Sequence, residues 1–556
     1  MVGRRAIFAL TLAAWSANAC VNNAEPAVSH GSTGGAPSQF GDAQGAIDWK
    51  ACSDIPSSYK GFELTCGETK APLRWSNPGG EAIDLRVLRM TPKSTPITSQ
   101  LWLLQGGPGL SGETLAGLAP LFAPKMPGVE FLLPDHRGVG ASNRLSCTTE
   151  EDDDSANGAT ITFAEWPQCL AAVQQQWGAD LAAFDSRGAA LDLGHLIAAA
   201  RQDKLPVRLY GVSYGTFWAL RYLQQFPDQV DRVVLDSACP PGSCNLSQFW
   251  NNHEAAAKSL LDLCAKDAFC AGKMGSNPWG KLQAVLADVA SGACPQLTKK
   301  GLSHDNLRML FAALIRDEGL RTLIAPLVYR LGRCNEQDIA ALQSLASAMA
   351  SNKAMDPKQS QALRKQFAPV LHHNVVANEL LQGTPAGLGQ LLFAPPDAIE
   401  DHQVYAKWPL GPADPLRLQL PDVKVPVLVL AGGLDPQTPA LWGKFVTDKL
   451  PQVARKVEIA RAAHGLAGGA GDVGKCARSV MVEFLANPKV APFATCATQQ
   501  APIDFEHGEG QVLTLFKDGL WETTAGTKRG PLAETADGDS LRAALEPLFR
   551  EVERGM

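Results

Sequence analysis

VRLYGVSYGTFWALRYLQQ, residues 207–225, is the stretch on which the fold turns. It opens on a short apolar run, Val207 to Tyr210, breaks at Gly211-Val212-Ser213-Tyr214-Gly215, and resumes over residues 216–225 with helix-like patterning. A strand that stops at a Gly-x-Ser-x-Gly corner and restarts as a helix lifts one serine onto a tight, strained turn. Its flanking glycines let neighbouring backbone pass without Cβ collisions. In a chain with 51 glycines the five-residue pattern alone is a weak signal. The strand before it and the helix after it give it weight, and they predict an α/β sheet with Ser213 at the carboxyl end of a strand.

Working outward, the same design recurs. Leu101-Trp102-Leu103-Leu104, Phe131-Leu132-Leu133, Val233-Val234-Leu235 and residues 425–430 are short apolar runs, several followed at once by Gly or Pro, as buried parallel strands are. Residues 82–90 alternate through Ile83, Leu85 and Val87, and helical stretches such as 188–200 lie between the strands. The expectation is an α/β fold with a mostly parallel, doubly wound sheet. Residues 241–420 break the rhythm, with helical spacings such as Leu307, Leu310, Phe311 and Leu314 but few strand candidates, and read as an inserted helical cap. The predicted organisation is a signal segment at 1–19, a flexible tether at 20–46, a first catalytic part at 47–240, the cap at 241–420, a second catalytic part at 421–500 and an extension at 501–556. Within the extension, 512–516 and 520–524 flanking Asp518-Gly519 suggest a hairpin. Leu541, Leu545, Leu548 and Val552 suggest an amphipathic helix that Pro547 disturbs.

Composition excludes several classes. Of 556 residues, 45% are hydrophobic and 19% charged, which rules out wholesale disorder, collagen and coiled coil. A formal net charge of −6 offers nothing to nucleic acid or anionic lipid, and no apolar run approaches the roughly 18 residues that span a bilayer. Arg4 and Arg5, the apolar residues 6–15 and Ala17-Asn18-Ala19 have the layout of a secretory signal, so export is expected. Cleavage there would leave Cys20 at the new N-terminus, as in a lipidated protein, although Ala17 stands where a lipobox carries Leu. Setting Cys20 aside leaves twelve of the 13 cysteines, an even set for an oxidising compartment. Lipidation of Cys20 and its loss or persistence as a free thiol both stay open.

A serine hydroxyl needs a base, normally histidine, and a carboxylate to orient it. His464, in Ala462-Ala463-His464-Gly465, stands 29 positions after Asp435, which follows the 425–430 strand and a Gly432-Gly433 turn and is stiffened by Pro436 and Pro439. Singly, each could be a surface turn residue; together they are the candidate base and acid. His507, in a Glu/Gly-rich loop, is the reserve base. Gln105-Gly106-Gly107-Pro108-Gly109 follows the 101–104 strand, and such a loop frees backbone N–H groups for a developing oxyanion. The N–H groups of Gly107 and Tyr214 are the candidate hole. A phosphate cradle would need a Walker lysine or a G-x-G-x-x-G, and neither is present.

Gly106-Gly107-Pro108-Gly109-Leu110-Ser111-Gly112, Asp135-His136-Arg137-Gly138-Val139-Gly140-Ala141-Ser142, Gly211-Val212-Ser213-Tyr214-Gly215-Thr216 and Asp435-Pro436-Gln437-Thr438-Pro439 occur in that order. In this the chain resembles the secreted bacterial tripeptidyl and prolyl aminopeptidases of the α/β-hydrolase superfamily, in which the order is serine, acid, histidine. Residues 476–496 resemble that family's C-terminal region, and the likeness covers roughly residues 49–501. It implies a cap carboxylate for the substrate's α-ammonium, for which Glu379 is the candidate beside the reading of a solvated helix glutamate. It also implies, with the spacings, six local disulfides: Cys52 with Cys66, Cys147 with Cys169, Cys239 with Cys244, Cys264 with Cys270, Cys294 with Cys334, and Cys476 with Cys496. Zinc at the short Cys pairs or at His372-His373 is the weaker reading. Two departures stand out: Gln105 replaces a histidine usual before the loop in prolyl aminopeptidases, and residues 501–556 go beyond the pattern.

The expected activity is that of an exported serine hydrolase that removes one to three residues from peptides with a free N-terminus. It needs no metal or organic cofactor, acts as a monomer, and meets a membrane only through a lipid on Cys20. The rivals are an esterase, lactonase or amidase on small nonpeptide substrates, and a noncatalytic surface-binding protein on the same scaffold.

Overall fold

Among the described residues nine strands form one sheet: β1 (Asp48–Ala51), β2 (Phe62–Pro72), β3 (Ala82–Pro92), β4 (Ser99–Leu104), β5 (Val129–Pro134), β6 (Val207–Val212), β7 (Arg232–Asp236), β8 (Val427–Gly432) and β9 (Ala454–Ile459), in the order β1-β2-β3-β5-β4-β6-β7-β8-β9. They belong to a computed structural model that describes residues 46–522 apart from 54, 56–58, 156–159, 203–204, 300–302, 342–361, 363, 386, 397, 489–493 and 510–518. The expected signal segment, nearly all of the tether, Cys20, most of the expected hairpin and the helix expected within 540–554 lie outside the described residues. The pairs from β4·β5 and β4·β6 through β8·β9 are parallel. Those joining β1, β2, β3 and β5 are antiparallel.

Alternate side chains of the central strands go to opposite cores, as a strand's period of two requires. Trp102, Leu104, Leu209, Val233, Leu235, Val427 and Val429 face α1 (Trp166–Trp177), α2 (Ser186–Ala200) and α3 (Tyr214–Gln225). Leu101, Leu103, Tyr210, Val212, Val234, Leu428 and Leu430 face the layer containing Val480 and Phe484. Both faces are covered, which is why these strands read as continuous apolar runs. The order reverses around β4, whose neighbours β5 and β6 lie on either side. The crevice outside the carboxyl ends of strands at such a reversal is where open α/β sheets build their sites, and Gln105 and Ser213 follow directly on β4 and β6.

The insertion supplies α4 (Phe249–Lys266), α5 (Ala268–Met274), α6 (Pro278–Ala290), α7 (His304–Arg316) and α8 (Ile324–Arg333). A reciprocal Ser303/Asn306 capping box starts α7. Its Leu307, Leu310, Phe311 and Leu314 enter a separate apolar core as their spacing predicts, each burial stabilising by roughly 1.5–3 kcal/mol. Residues from the extension complete that core: Ile503, Phe505, Leu520 and Trp521 are buried in it. Trp521 Nε1–H donates to the Phe505 carbonyl at 2.8 Å, and Arg330 of α8 donates from Nε to the Leu520 carbonyl at 3.0 Å. Glu522 accepts from Lys273 and from the Tyr329 hydroxyl, both at 2.6 Å. Where described, the extension is therefore a component of the cap.

Not all of the insertion joins that core. Ala368, then Val370, Leu371 and Val375 of α9 (Pro369–Val375) and Val376 and Leu380 of the π-helical turn Val376–Leu380, pack into the core beside α2 and α3 instead. Six disulfides are formed: Cys52–Cys66, Cys147–Cys169, Cys239–Cys244, Cys264–Cys270, Cys294–Cys334 and Cys476–Cys496, with sequence separations from 5 to 40. Among the described residues no helix is long and apolar enough to cross a membrane.

Candidate active site

Ser213 has φ 56° and ψ −128°, outside the region an L-residue prefers, between β6 and the first turn of α3. The glycines around it explain how the corner is made. A Cβ on Gly211 would run into the Gly215 carbonyl, and one on Gly215 into the Leu104 carbonyl. The Ser213 N–H donates to the Asp236 carbonyl at 3.0 Å, and Thr216 returns a side-chain bond to the Ser213 carbonyl at 2.6 Å. Tyr214 is the first residue of α3, so its N–H has no carbonyl one turn back. Its phenol is tied down elsewhere. The His136 Nδ1–H donates to the Arg137 carbonyl at 2.7 Å, leaving Nε2 to accept from the Tyr214 hydroxyl at 3.1 Å. Burial holds His136 neutral, its pKa lowered to about 4.

Asp435 and His464 meet. The histidine's Nδ1 lies 3.1 and 3.0 Å from the two Asp435 carboxylate oxygens. Asp435 is 3% exposed, and burial alone would raise its pKa. The neighbouring His464 and the N–H groups of Thr438 and Gln437 outweigh that and hold it below the ordinary carboxylate range. Thr438 is the member that sequence reasoning passed over: its hydroxyl donates to Asp435 Oδ2 at 2.8 Å and its oxygen stands 3.1 Å from His464 Nδ1. Its signal was a threonine three residues after an aspartate in a proline-bounded turn. Gly465, next to His464, has the Val212 side chain near its missing Cβ, so the His464 loop runs beside the residue preceding Ser213. His507 is elsewhere, exposed and bonded to Asp504.

The glycine loop after β4 lies against the serine. A Cβ on Gly106 would sit 2.7 Å from the Ser213 Cβ and 3.3 Å from its Oγ, so only glycine allows this approach. Gln105 shapes the loop from within, accepting from the Gly106 N–H at 2.7 Å and donating to the Thr114 hydroxyl at 2.6 Å. Asp135 ties the second motif to the first by accepting from the Ser111 hydroxyl at 2.6 Å and the Gly112 N–H at 3.0 Å. Its burial raises its pKa to about 6 despite these bonds. The returning insertion then clamps the loop. Ser111 N–H donates to the Gln366 carbonyl, Ala368 N–H to the Gly109 carbonyl, and His372 Nδ1–H to the Pro108 carbonyl at 2.9 Å.

Glu379 occupies the π-helical turn. Its carboxylate accepts from the Ser186 N–H at 2.8 Å and from the Ser186 hydroxyl, while Arg221 Nε donates to that hydroxyl at 3.1 Å. Burial, then the nearby Asp185 carboxylate, raises its pKa to about 7. Tyr214 registers the group as well: burial and then the Glu379 charge push its phenol well above the ordinary value. Glu379 thus lies within electrostatic reach of the residue after Ser213, but its side-chain bonds go to Ser186.

Two stretches of the chain match family models: residues 101–262 that of the alpha/beta hydrolase fold, and residues 394–496 that of the TAP-like protein family. The serine protease Hip1 of Mycobacterium tuberculosis is 29% identical over 252 residues, 42% of this chain and 47% of that one. A tripeptidyl aminopeptidase of Streptomyces lividans is 29% identical over 224 residues, 36% and 39% of the two chains. The chain spans about half the length, or less, of the curated relatives it matches. A solved proline iminopeptidase from Mycobacterium smegmatis covers 75% of this chain and 97% of its own at 18% identity, with a TM-score of 0.36.

Proposed function

We propose that this chain, which carries an α/β-hydrolase fold and a TAP-like region, is a serine hydrolase working through Ser213, His464 and Asp435. The observation that carries the reading is a histidine whose Nδ1 is held by a buried carboxylate, on a loop whose Gly465 lies beside Val212, the residue before a serine at positive φ on a strand-helix corner. With Nδ1–H donated to Asp435, the Nε2 of His464 is the nitrogen that would take the Ser213 proton as Oγ attacks a carbonyl. The tetrahedral oxyanion would be received by the N–H groups of Gly107 and Tyr214. His464 then returns the proton to the leaving group, and water activated by the same histidine hydrolyses the acyl-enzyme.

The finer reading is an exopeptidase that takes one to three residues from peptides with a free N-terminus, under a cap that excludes folded proteins. Glu379 is proposed to read the α-ammonium. An arriving cation favours the ionised carboxylate, and a pKa raised to about 7 leaves that charge to be recruited by substrate. Export to an oxidising compartment, with or without a lipid on Cys20, accords with six disulfides. The deciding experiment offers free and N-acetylated peptide anilides beside p-nitrophenyl esters, and labels the protein with a fluorophosphonate. Free-amine peptides should be preferred, and labelling should vanish in Ser213→Ala. Glu379→Gln should raise KM for the free amines about 10- to 100-fold, as expected for a lost charged hydrogen bond, and spare ester turnover. Equal cleavage of blocked peptides refutes the aminopeptidase, and labelling that survives Ser213→Ala refutes the nucleophile.

A further inference from the structure

Three successive N–H groups follow His464, and all three are received by two residues at the end of β7. Gly465 N–H donates to Ser237 Oγ at 2.8 Å, Leu466 N–H to Asp236 Oδ1 at 2.9 Å, and Ala467 N–H to Asp236 Oδ2 at 2.8 Å. The same two residues hold the other two segments of the candidate triad. The Asp236 carbonyl accepts the Ser213 N–H at 3.0 Å, and the Ser237 N–H donates to the Leu430 carbonyl of β8, the strand that leads to Asp435. Both side chains are fully buried, and Ser237 sits at φ 58°, where a non-glycine residue is strained.

We propose that Asp236 and Ser237 are positioning residues that clip the base loop to the nucleophile corner and so set the alignment of His464 with Ser213; this rests on the serine-hydrolase reading above. The clip requires an acid. Two N–H groups arrive on two different oxygens, and a third donor, the Tyr210 hydroxyl, comes to Oδ2 at 2.8 Å. A carboxylate accepts at both oxygens, whereas an asparagine would turn its NH₂ against one of those N–H groups. Burial pushes the Asp236 carboxyl up; the Ala467 N–H, Tyr210, the Leu466 N–H and the charge of His464 oppose it. The last attraction is mutual, so the Asp236 anion also favours the imidazolium that forms when Ser213 attacks.

The test compares Asp236→Asn, Asp236→Ala and Ser237→Gly with wild type. Each is scored by kcat per active site titrated with a fluorophosphonate burst, by KM, and by the second-order rate of fluorophosphonate labelling. Asp236→Asn should lose about 10- to 100-fold in kcat per titrated site with KM within about twofold, and Asp236→Ala more. Ser237→Gly suits the positive φ and removes one neutral acceptor, so it should fold and lose about fivefold. A loss confined to the number of titratable sites, or one appearing only in KM, is what a merely structural role gives and overturns the proposal. So does labelling within twofold of wild type in both Asp236→Asn and Ser237→Gly. The labelling rate needs no substrate, so the clip can fail while the substrate panel succeeds, and the reverse.

Discussion

Trp521→Ala tests whether the extension belongs to the cap. The indole is 4% exposed, stacks edge-on to Phe269 of α5 and near Tyr329 of α8 at centroid distances of 5.6 and 5.7 Å, and donates to the Phe505 carbonyl at 2.8 Å. Truncating a buried Trp to Ala costs about 3–5 kcal/mol, a range that contains the lost transfer and cavity contributions. Each aromatic contact is worth about 0.5–1.5 kcal/mol beyond its area, and the hydrogen bond about 1. A loss of 3–5 kcal/mol corresponds to about 10² to 10⁴ in the constant for local opening. The assay is native-state hydrogen exchange, with amides of α5, α6 and α8 as the readout and those of β6 and β7 as the internal reference. Cap amides should lose protection by that factor and the strands by much less. On the proposed exopeptidase reading, peptide selectivity should fall while small-ester turnover persists, since Ser213, Asp435 and His464 stand on turns of the sheet. Cap amides protected within threefold of wild type would refute the assignment of the extension to the cap.

Two further outcomes follow from the site. A carboxyl whose pKa is raised in the folded protein binds its proton more tightly there than in the unfolded chain, so its contribution favours folding at low pH and is lost as pH climbs. For Glu379 that window runs from its ordinary value of 4.5 to about 7. Wild type should therefore lose up to about 3 kcal/mol more stability between pH 5 and 8 than Glu379→Gln, read from urea midpoints at each pH, and parallel pH dependences would contradict the assignment. Thr438→Val keeps the shape but removes the hydroxyl shared by Asp435 and His464, and kcat should drop about 10- to 100-fold at nearly constant KM; an unchanged kcat would remove Thr438 from the machinery.

The sheet was legible wherever burial on both faces wrote a continuous apolar run. β4, β5, β6, β7 and β8 all fall on runs visible in the chain. β2 and β9 did not announce themselves, because Lys70 on the one and Lys456 and Glu458 on the other interrupt the pattern with side chains that reach solvent or each other. Ser213, Asp435 and His464 stand out as candidates in the sequence because each sits in a turn whose glycines and prolines mark it. The contacts around these candidates are not legible there, because they are made to backbone groups brought from far along the chain. Asp236 looks like any acid ending a strand until the N–H groups of residues 466 and 467 arrive on it, 230 and 231 positions later. The clamp of residues 366–372 on the glycine loop is of the same kind: nothing in Phe367-Ala368 foretells an antiparallel bridge to Leu110. The one notable exception was Glu379, where the candidate was named but its tie to Ser186, 193 positions earlier, was hidden.

The disulfides carry a consequence for how the protein is made. Every bonded cysteine is joined to the next one along the chain, so no bridge encloses or crosses another. Twelve cysteines could pair in on the order of 10⁴ ways. Once Cys20 is lipidated or removed, an oxidant that links each thiol to the next thiol to emerge reaches the native set by order of arrival alone, with nothing to reshuffle; a free Cys20 would throw every pairing out of step. Bridge formation can then keep pace with a chain threading into an oxidising space, each loop closing before the cysteines that could mispair with it have appeared.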